Sequence, residues 1–525
     1  MGKSTLAAGR HEAKSYTKDT RIVRVRTEKR GNVWKTLGFV FLIALQVAII
    51  LTLYFLYLAA LPWYLALSFV LSILSVFHVF VSDKEGQTKA LWIFILVIGY
   101  SIGFIIYILS QEKLFYGRKE KRYREIYART ARYSAEYVEK GDHTDEVRAD
   151  VQYLRNAGNF DAFNDSTVRF FPSGGELFDD ILEKLKTAKK FVFIEFFIIN
   201  DGILLQRINS ILYQKVKEGV DVRIILDGIG SRALSSRTRK DMMAAGIKVQ
   251  YFNRFIPYFT FALNLRDHRK IVVIDGLYAY TGGCNLSDEY INEKRMHGYW
   301  KDNGTVVTGP AVDSVTLTFL RQYEALTKQT EDYAPYLGLS PRTESSSVII
   351  PWADGKDYKA NIVKGLYTNI MAGAKKKLYI MTPYLVPDED TMSLLEEKAL
   401  SGVDVRIFLP GVPDKKYVYY VTIARARKLM KSGVKVYIMS FTFIHSKVVY
   451  SENAVSVGSA NIDLRSYYNQ FENGIYTDDP VFREIIQHDF DVTRSVSGDL
   501  ALRKDRFPFL NRFIAAFLRF FSPLM

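Results

Sequence analysis

The chain has 525 residues, with 71 Lys+Arg against 56 Asp+Glu and a formal net charge of +15. With 48% apolar and 14% aromatic residues it is too apolar for a disordered chain. Its one cysteine excludes an intrachain disulfide framework and any multi-cysteine zinc site.

The excess of positive charge is localised. Residues 1–36, 111–140 and 503–525 hold 24 Lys/Arg and nine acids, which accounts for the whole net +15. Between the first two lie 46 uncharged positions, Leu37 to Ser82, and a second uncharged run, Ala90 to Gln111. A spanning helix needs about 20 apolar residues. The pattern predicts three transmembrane helices near 38–60, 63–81 and 90–110, with Pro62-Trp63 at the first turn. About 36 mostly polar residues precede the first run, which argues against a signal peptide. Three spans put the two basic flanks on opposite sides, against the positive-inside rule, unless one segment is re-entrant.

After about residue 150 the pattern changes to short apolar runs alternating with amphipathic stretches. Phe191-Val192-Phe193-Ile194 and Val222 to Leu226 read as buried strands, and Leu177 to Leu185 as a helix. That alternation predicts a layered α/β fold. The pattern then repeats. Gly219-Val220-Asp221-Val222-Arg223-Ile224 recurs as Gly402-Val403-Asp404-Val405-Arg406-Ile407. Gly246-Ile247-Lys248-Val249 recurs as Gly433-Val434-Lys435-Val436. Two copies of this size are two domains rather than a solenoid. The expected organisation is a basic tail over 1–36, a membrane domain over 37–111 and a basic linker over 112–150. Two α/β domains follow, over 151–335 and 336–502, and then a basic amphipathic tail over 503–525.

The chemistry falls at matched places in the two copies. His268-Arg269-Lys270 precedes Ile271 to Ile274, Asp275 and then Gly282-Gly283-Cys284-Asn285. His445-Ser446-Lys447 precedes Gly458-Ser459-Ala460-Asn461. Residues two apart on a strand share a face, so each His projects with its Lys. Two such pairs around one pocket suit a phosphodiester: the ammoniums bind phosphate oxygens, one imidazole attacks, and the other serves as proton donor. In the second copy the acid position falls on Glu452, with Ser451 as the alternative, and the following loop is one residue short.

The constellation resembles the phospholipase D superfamily motif His-x-Lys-x4-Asp-x6-Gly-Ser/Gly-x-Asn, which occurs twice per active site. The chain is most similar to bacterial cardiolipin synthases, through Asn264 to Lys270, Gly282 to Tyr290, Trp300-Lys301-Asp302, Arg465-Ser466, Phe471-Glu472 and the terminal Phe521-Ser522-Pro523-Leu524. The resemblance implies two tandem phospholipase D-like α/β/α domains with one active site at their pseudo-twofold interface. It implies transfer of a phosphatidyl group between two phosphatidylglycerols through a phosphohistidine, in the cell membrane of a bacterium. His268, Lys270, Asp275, His445, Lys447 and Glu452 are the expected catalytic residues, with His268 favoured as nucleophile. Asn285, Ser459 and Asn461 are expected on the phosphate, and Asp302 and Glu472 behind the imidazoles. No metal or cofactor is implied, because Lys270 and Lys447 supply the positive charge. The expected partners are phosphatidylglycerol and anionic membrane lipids, not nucleic acid; the oligomeric state is left open. Competing readings are a phospholipase or a phosphatidyltransferase with another acceptor, an inactive membrane scaffold, and a nuclease of the same fold. Cys284 reads as a small filler. The aromatic stretch from Arg254 to Leu265 reads as either a lipid access lip or a buried connector.

Overall fold

A computed structural model describes residues 29–60, 62–137, 148–253, 265–345, 347–502 and 509–524. Most of the aromatic stretch before the first motif, together with Arg503, Lys504 and Arg506 of the tail, lies outside the described residues. The chain forms two units: residues up to His78 with Ile95–Ile106, and Val79–Phe94 with everything from Tyr107 onward.

The uncharged runs are helical. Helix Lys29–Ala60 is followed by Pro62–Val81, with the proline at the first helical position. Large apolar side chains such as Phe41, Phe55 and Phe77 face outward, each 65% exposed, which is the reverse of a water-soluble helix pair. A third helix, Gly86–Leu109, has a kink at Tyr100, where φ is 43°. Among the described residues it is the one helix long and apolar enough to cross a membrane. The apolar stretches Val40–Phe55 and Ala66–Val81 are shorter.

The stretch expected to be a basic linker begins as helix Glu112–Tyr137. It lies against helix Val312–Thr327 through Tyr123 Oη to Gln322 (2.8 Å) and Arg129 to Glu324 (2.6 Å).

The second unit contains two sheets of matching topology. The first runs Thr167–Phe171, Gly304–Thr308, Tyr278–Gly282, Lys270–Ile274, Phe191–Phe196, Asp221–Asp227, Lys248–Phe252. The second runs Ile349–Asp354, Gln470–Thr477, Val455–Gly458, Val448–Ser451, Lys377–Met381, Asp404–Pro410, Lys435–Met439, and ends on Gly498–Asp499. In both, the last three strands before that edge are parallel and the rest antiparallel. Burial on both faces explains the unbroken apolar runs, such as Phe191 to Ile194. Helix Gly174–Thr187 starts on Ser173, whose Oγ accepts from Glu176 N (3.2 Å), and it buries Leu177, Phe178, Ile181 and Leu185 on the sheet.

The duplication reaches single ion pairs. Asp221 holds Arg223 (2.8 Å) and Lys248 (2.7 Å), while Asp404 holds Arg406 (2.6 Å) and Lys435 (2.8 Å). Gly219 and Gly402, which open the six-residue match, share a φ of 88°, a turn that disfavours side chains.

Candidate active site

The two copies are stitched together by two short parallel pairings. Arg266–Asp267 pairs with Gln470–Phe471, and Tyr299–Lys301 with Thr442–Ile444. Each pairing ends where one copy's histidine meets the other copy's acid. The His268 backbone N–H donates to the Phe471 carbonyl (2.8 Å), and that of His445 to the Lys301 carbonyl (2.7 Å).

The imidazoles are therefore oriented across the interface. His268 Nδ1 lies 2.9 and 3.0 Å from the two Glu472 oxygens, and His445 Nδ1 lies 2.7 Å from Asp302 Oδ2. An ionised carboxylate only accepts, so Nδ1–H donates and Nε2 keeps its lone pair. Phe197 stands edge-on to the first ring at 5.2 Å; Tyr290, Trp300 and Phe443 surround the second.

Lys270 Nζ donates to the His268 carbonyl, and Lys447 Nζ to that of His445. Lys447 Nζ also sits 2.7 Å from His445 Nδ1. Both lysines are buried, 2% and 1% exposed. Burial pulls Lys270 down to about 7, with Glu472 opposing the shift, and Lys447 down to about 8 against Asp302 and Glu472. Burial, then Lys270 and Lys447, hold His268 well below the usual imidazole range. Burial and Lys447 bring His445 to about 4 against Asp302. Each lysine acts on both histidines, so the four side chains form one electrostatic centre.

The two acids differ. Burial would raise Asp302, but the His445 and Lys447 charges outweigh it and hold the carboxyl low. Burial pushes Glu472 up to about 7 despite Lys270 and the hydroxyls of Ser459 and Ser466. Gly283 occupies the place of Ser459 in the first copy. A Cβ there would lie 2.0 Å from Asp302 Oδ1, so the shorter acid and the missing side chain match each other.

Two expected catalytic residues are placed elsewhere. Asp275 accepts from the backbone N–H of Lys189 (2.7 Å), Lys190 (2.7 Å) and Phe191 (2.9 Å). Glu452 accepts from those of Lys375 (2.7 Å), Lys376 (3.0 Å) and Lys377 (3.0 Å). At about 3.3 Å per residue, each acid is roughly 20 Å along its strand from its histidine. They brace the start of the neighbouring strand and do not touch the reacting groups. Glu452 fills the acid position of the second copy; the Ser451 hydroxyl is spent on its own turn at Asn453 and Ala454. Glu452→Gln, which keeps an acceptor but not the charge, should lower stability by about 1–3 kcal/mol. Turnover per folded molecule should stay near wild type. Thermal unfolding beside active-fraction-corrected rates checks this, and a large fall in corrected turnover would restore a catalytic role.

The expected phosphate ligands are partly engaged. Asn285 Nδ2 donates to Tyr290 Oη (2.6 Å) and its Oδ1 accepts from Ile198 N (3.2 Å). Asn461 Nδ2 donates to Asp463 (3.0 Å), while its buried Oδ1 has no partner among the described residues. Ser459 bonds Glu472 and so orients a carboxylate. Cys284 is buried against the Asn303 carbonyl, and burial raises its thiol. Asn473 was not anticipated: its Oδ1 accepts from Lys270 N (3.0 Å) and its Nδ2 donates to Thr281 (2.8 Å), tying the two motif sheets together. The doubled Asp302-Asn303-Gly304 and Glu472-Asn473-Gly474 is the signal that could have found it.

The family model for the cardiolipin synthase, PLD-like domain matches residues 181–307 and again 367–493. A protein of Alkalihalophilus pseudofirmus named cardiolipin synthase is 31% identical over 88% of this chain and 94% of its own length. Cardiolipin synthase 2 of Bacillus anthracis is 32% identical over 85% of this chain and 88% of its own. Among solved structures, a phosphatidylserine synthase of Haemophilus influenzae shares the fold at TM-score 0.57 and 14% identity, over 72% of this chain and 100% of that one.

Proposed function

The chain belongs to the cardiolipin synthase family with phospholipase D-like domains, and on that footing we propose that it makes cardiolipin from two molecules of phosphatidylglycerol. The observation that carries the reading is the pair of buried imidazoles, each with Nδ1 on an acid of the other copy and each served by a buried lysine.

In the first step His268 Nε2 attacks the phosphorus of one phosphatidylglycerol. The bond from phosphorus to the headgroup glycerol oxygen breaks, and His445, which takes up a proton as the anionic phosphodiester binds, gives that proton to the oxygen. Glycerol leaves and a phosphatidyl-histidine remains. In the second step the free glycerol hydroxyl of another phosphatidylglycerol gives its proton to His445 and attacks phosphorus. The N–P bond breaks, yielding cardiolipin and free His268. Lys270 and Lys447 hold the non-bridging oxygens, whose charge grows in both transition states. The uneven acids support these roles: ionised Asp302 works against burial and Lys447 at His445 and so eases its protonation when the substrate binds, whereas Glu472 is itself raised to about 7 and holds less charge against His268.

Purified protein given phosphatidylglycerol alone should yield cardiolipin and glycerol in equal amounts. Phosphatidic acid as the sole product would make it a hydrolase, and no turnover would leave a scaffold. We place the catalytic domains at a membrane crossed by up to three helices, Lys29–Ala60, Pro62–Val81 and Gly86–Leu109.

The lysines also set a pH dependence. An ammonium binds phosphate only while protonated, and burial brings Lys270 to about 7 and Lys447 to about 8. Raising the pH therefore removes positive charge from the free enzyme, and kcat/KM should fall on the alkaline side from about pH 7 and more steeply above about pH 8. A bound phosphodiester favours the charged lysines, so the corresponding limb of kcat should lie at higher pH. Initial rates across pH 6–10 test this; coincident limbs would separate the lysines from phosphate binding.

A further inference from the structure

Outside the two-histidine site, a groove of ≈ 360 Å³ runs between helix Lys416–Met430 and the C-terminal helix Phe509–Phe520. Its floor is apolar, made by Val421, Ala424, Ala515 and Ala516. Its lip carries Arg425, Lys428, Lys431 and Arg519.

Arg425 is the informative residue. Its side chain is 3% exposed, and Nη1 bonds Glu389 (2.6 Å). Its buried Nε and Nη2 have no hydrogen-bond partner among the described residues. A buried guanidinium with two unmatched donors is costly to maintain. Arg425 lines the groove beside two cations that share its acid: Glu389 also faces Arg519 at 2.8 Å and Lys428 at 3.8 Å, and Lys428 faces Glu396 at 3.3 Å. The local charge is thus in positive excess, and planar Arg donors suit a phosphate.

The surroundings identify what carries that phosphate. Phe520 packs edge-on against Phe94 (4.7 Å), and Gln87 reaches Glu389 (3.4 Å). Phe94 and Gln87 belong to helix Gly86–Leu109, which among the described residues is the one long and apolar enough to cross a bilayer. The outward face of the C-terminal helix exposes Phe513 (64%) and Phe517 (56%), while Leu518 packs on Val386, Val418 and Val421. Cations over an apolar floor, beside a membrane helix, match an amphiphile whose phosphate is the charged end. Free phosphate has no use for the floor.

We infer that this groove is a second lipid site, which takes the phosphate of an anionic phospholipid on Arg425, Lys431 and Arg519 and the start of an acyl chain on Val421, Ala424 and Ala515. It ties the C-terminal helix to the bilayer and is separate from the reacting centre.

The test uses full-length protein carrying His268→Ala, so that no lipid is consumed, in phosphatidylcholine nanodiscs. A trace of photoactivatable phosphatidylglycerol, with its reactive group at the head of the acyl chain, is cross-linked and mapped by peptide mass spectrometry. Label is expected on the peptides covering 416–431 and 509–520. Arg425→Gln should reduce it about fivefold or more. Ala424→Trp, at a half-buried position, fills the groove without touching a charge and should do the same, which guards against misfolding of the Arg425 variant. Equal labelling from a phosphatidylcholine probe would overturn the site, as would labelling unchanged in both variants. Phosphate binding by ³¹P NMR without acyl label on these helices would assign the groove to free phosphate and overturn the lipid. Since every protein in the test is already inactivated at His268, none of these outcomes bears on the cardiolipin reading.

Discussion

His268→Ala and His445→Ala should each lower cardiolipin formation by at least about 10⁴-fold, and they should fail at different steps. Without His268 there is no nucleophile, so phosphatidylglycerol labelled in its phosphatidyl group leaves no label on the protein. Without His445 the attack lacks its proton donor, and the intermediate lacks the base that activates the second hydroxyl. The first step can still proceed slowly with a good leaving group, so a phosphatidyl ester of p-nitrophenol should release nitrophenolate once and leave His445→Ala labelled. Acid lability and base stability of the label would identify an N–P bond. The buried setting makes the second failure severe: Lys447, bonded to the His445 carbonyl, is anchored for binding charge rather than for passing a proton to the leaving oxygen. Label on His268→Ala and none on His445→Ala would reverse the two roles. Full activity in both variants would end the two-histidine mechanism.

Much of this centre was legible in the chain. Alternation along a strand put each histidine beside its lysine, and the six-residue match from Gly219 and Gly402 implied two similar sheets. What could not be read was which acid serves which imidazole. Asp302 and Glu472 follow the motif of their own copies, so spacing alone suggests service within a copy. The exchange comes from the pairing of Tyr299–Lys301 with Thr442–Ile444 and of Arg266–Asp267 with Gln470–Phe471. These are contacts between strand ends far apart in sequence, and no local pattern encodes them. Asp275 and Glu452 misled for the complementary reason. Their spacing is as regular as that of the lysines, but five further positions along an extended strand carry a side chain to its opposite end. The regularity records a fold requirement, three backbone donors that need an acceptor, and not a chemical one. The membrane segment shows a similar limit. Composition found the uncharged runs, while the break at Tyr100 (φ 43°) inside the third helix is announced only by its neighbours Gly99 and Ser101.

The exchange itself makes the other large prediction. Asp302→Asn and Glu472→Gln remove a carboxylate that holds Nδ1–H, and the amide can instead donate and turn the imidazole to its wrong tautomer. Each should lower kcat by about 10²–10⁴-fold with little change in KM, because the substrate is not touched. Combination with the histidine variants then tells the pairs apart. If Glu472 acts only through His268, then adding Glu472→Gln to His268→Ala removes nothing more, and the double variant should be as slow as His268→Ala alone. Adding Asp302→Asn to His268→Ala strikes the other imidazole and should slow residual release of nitrophenolate further. The same holds with the labels reversed for His445, which Asp302 serves at 2.7 Å. An arrangement in which each copy is self-contained predicts the opposite pairing, so the four double variants decide between the two. Such a result would also say why the duplication persists as one chain. Neither copy alone can orient its own histidine, so the reacting centre exists only where the two meet.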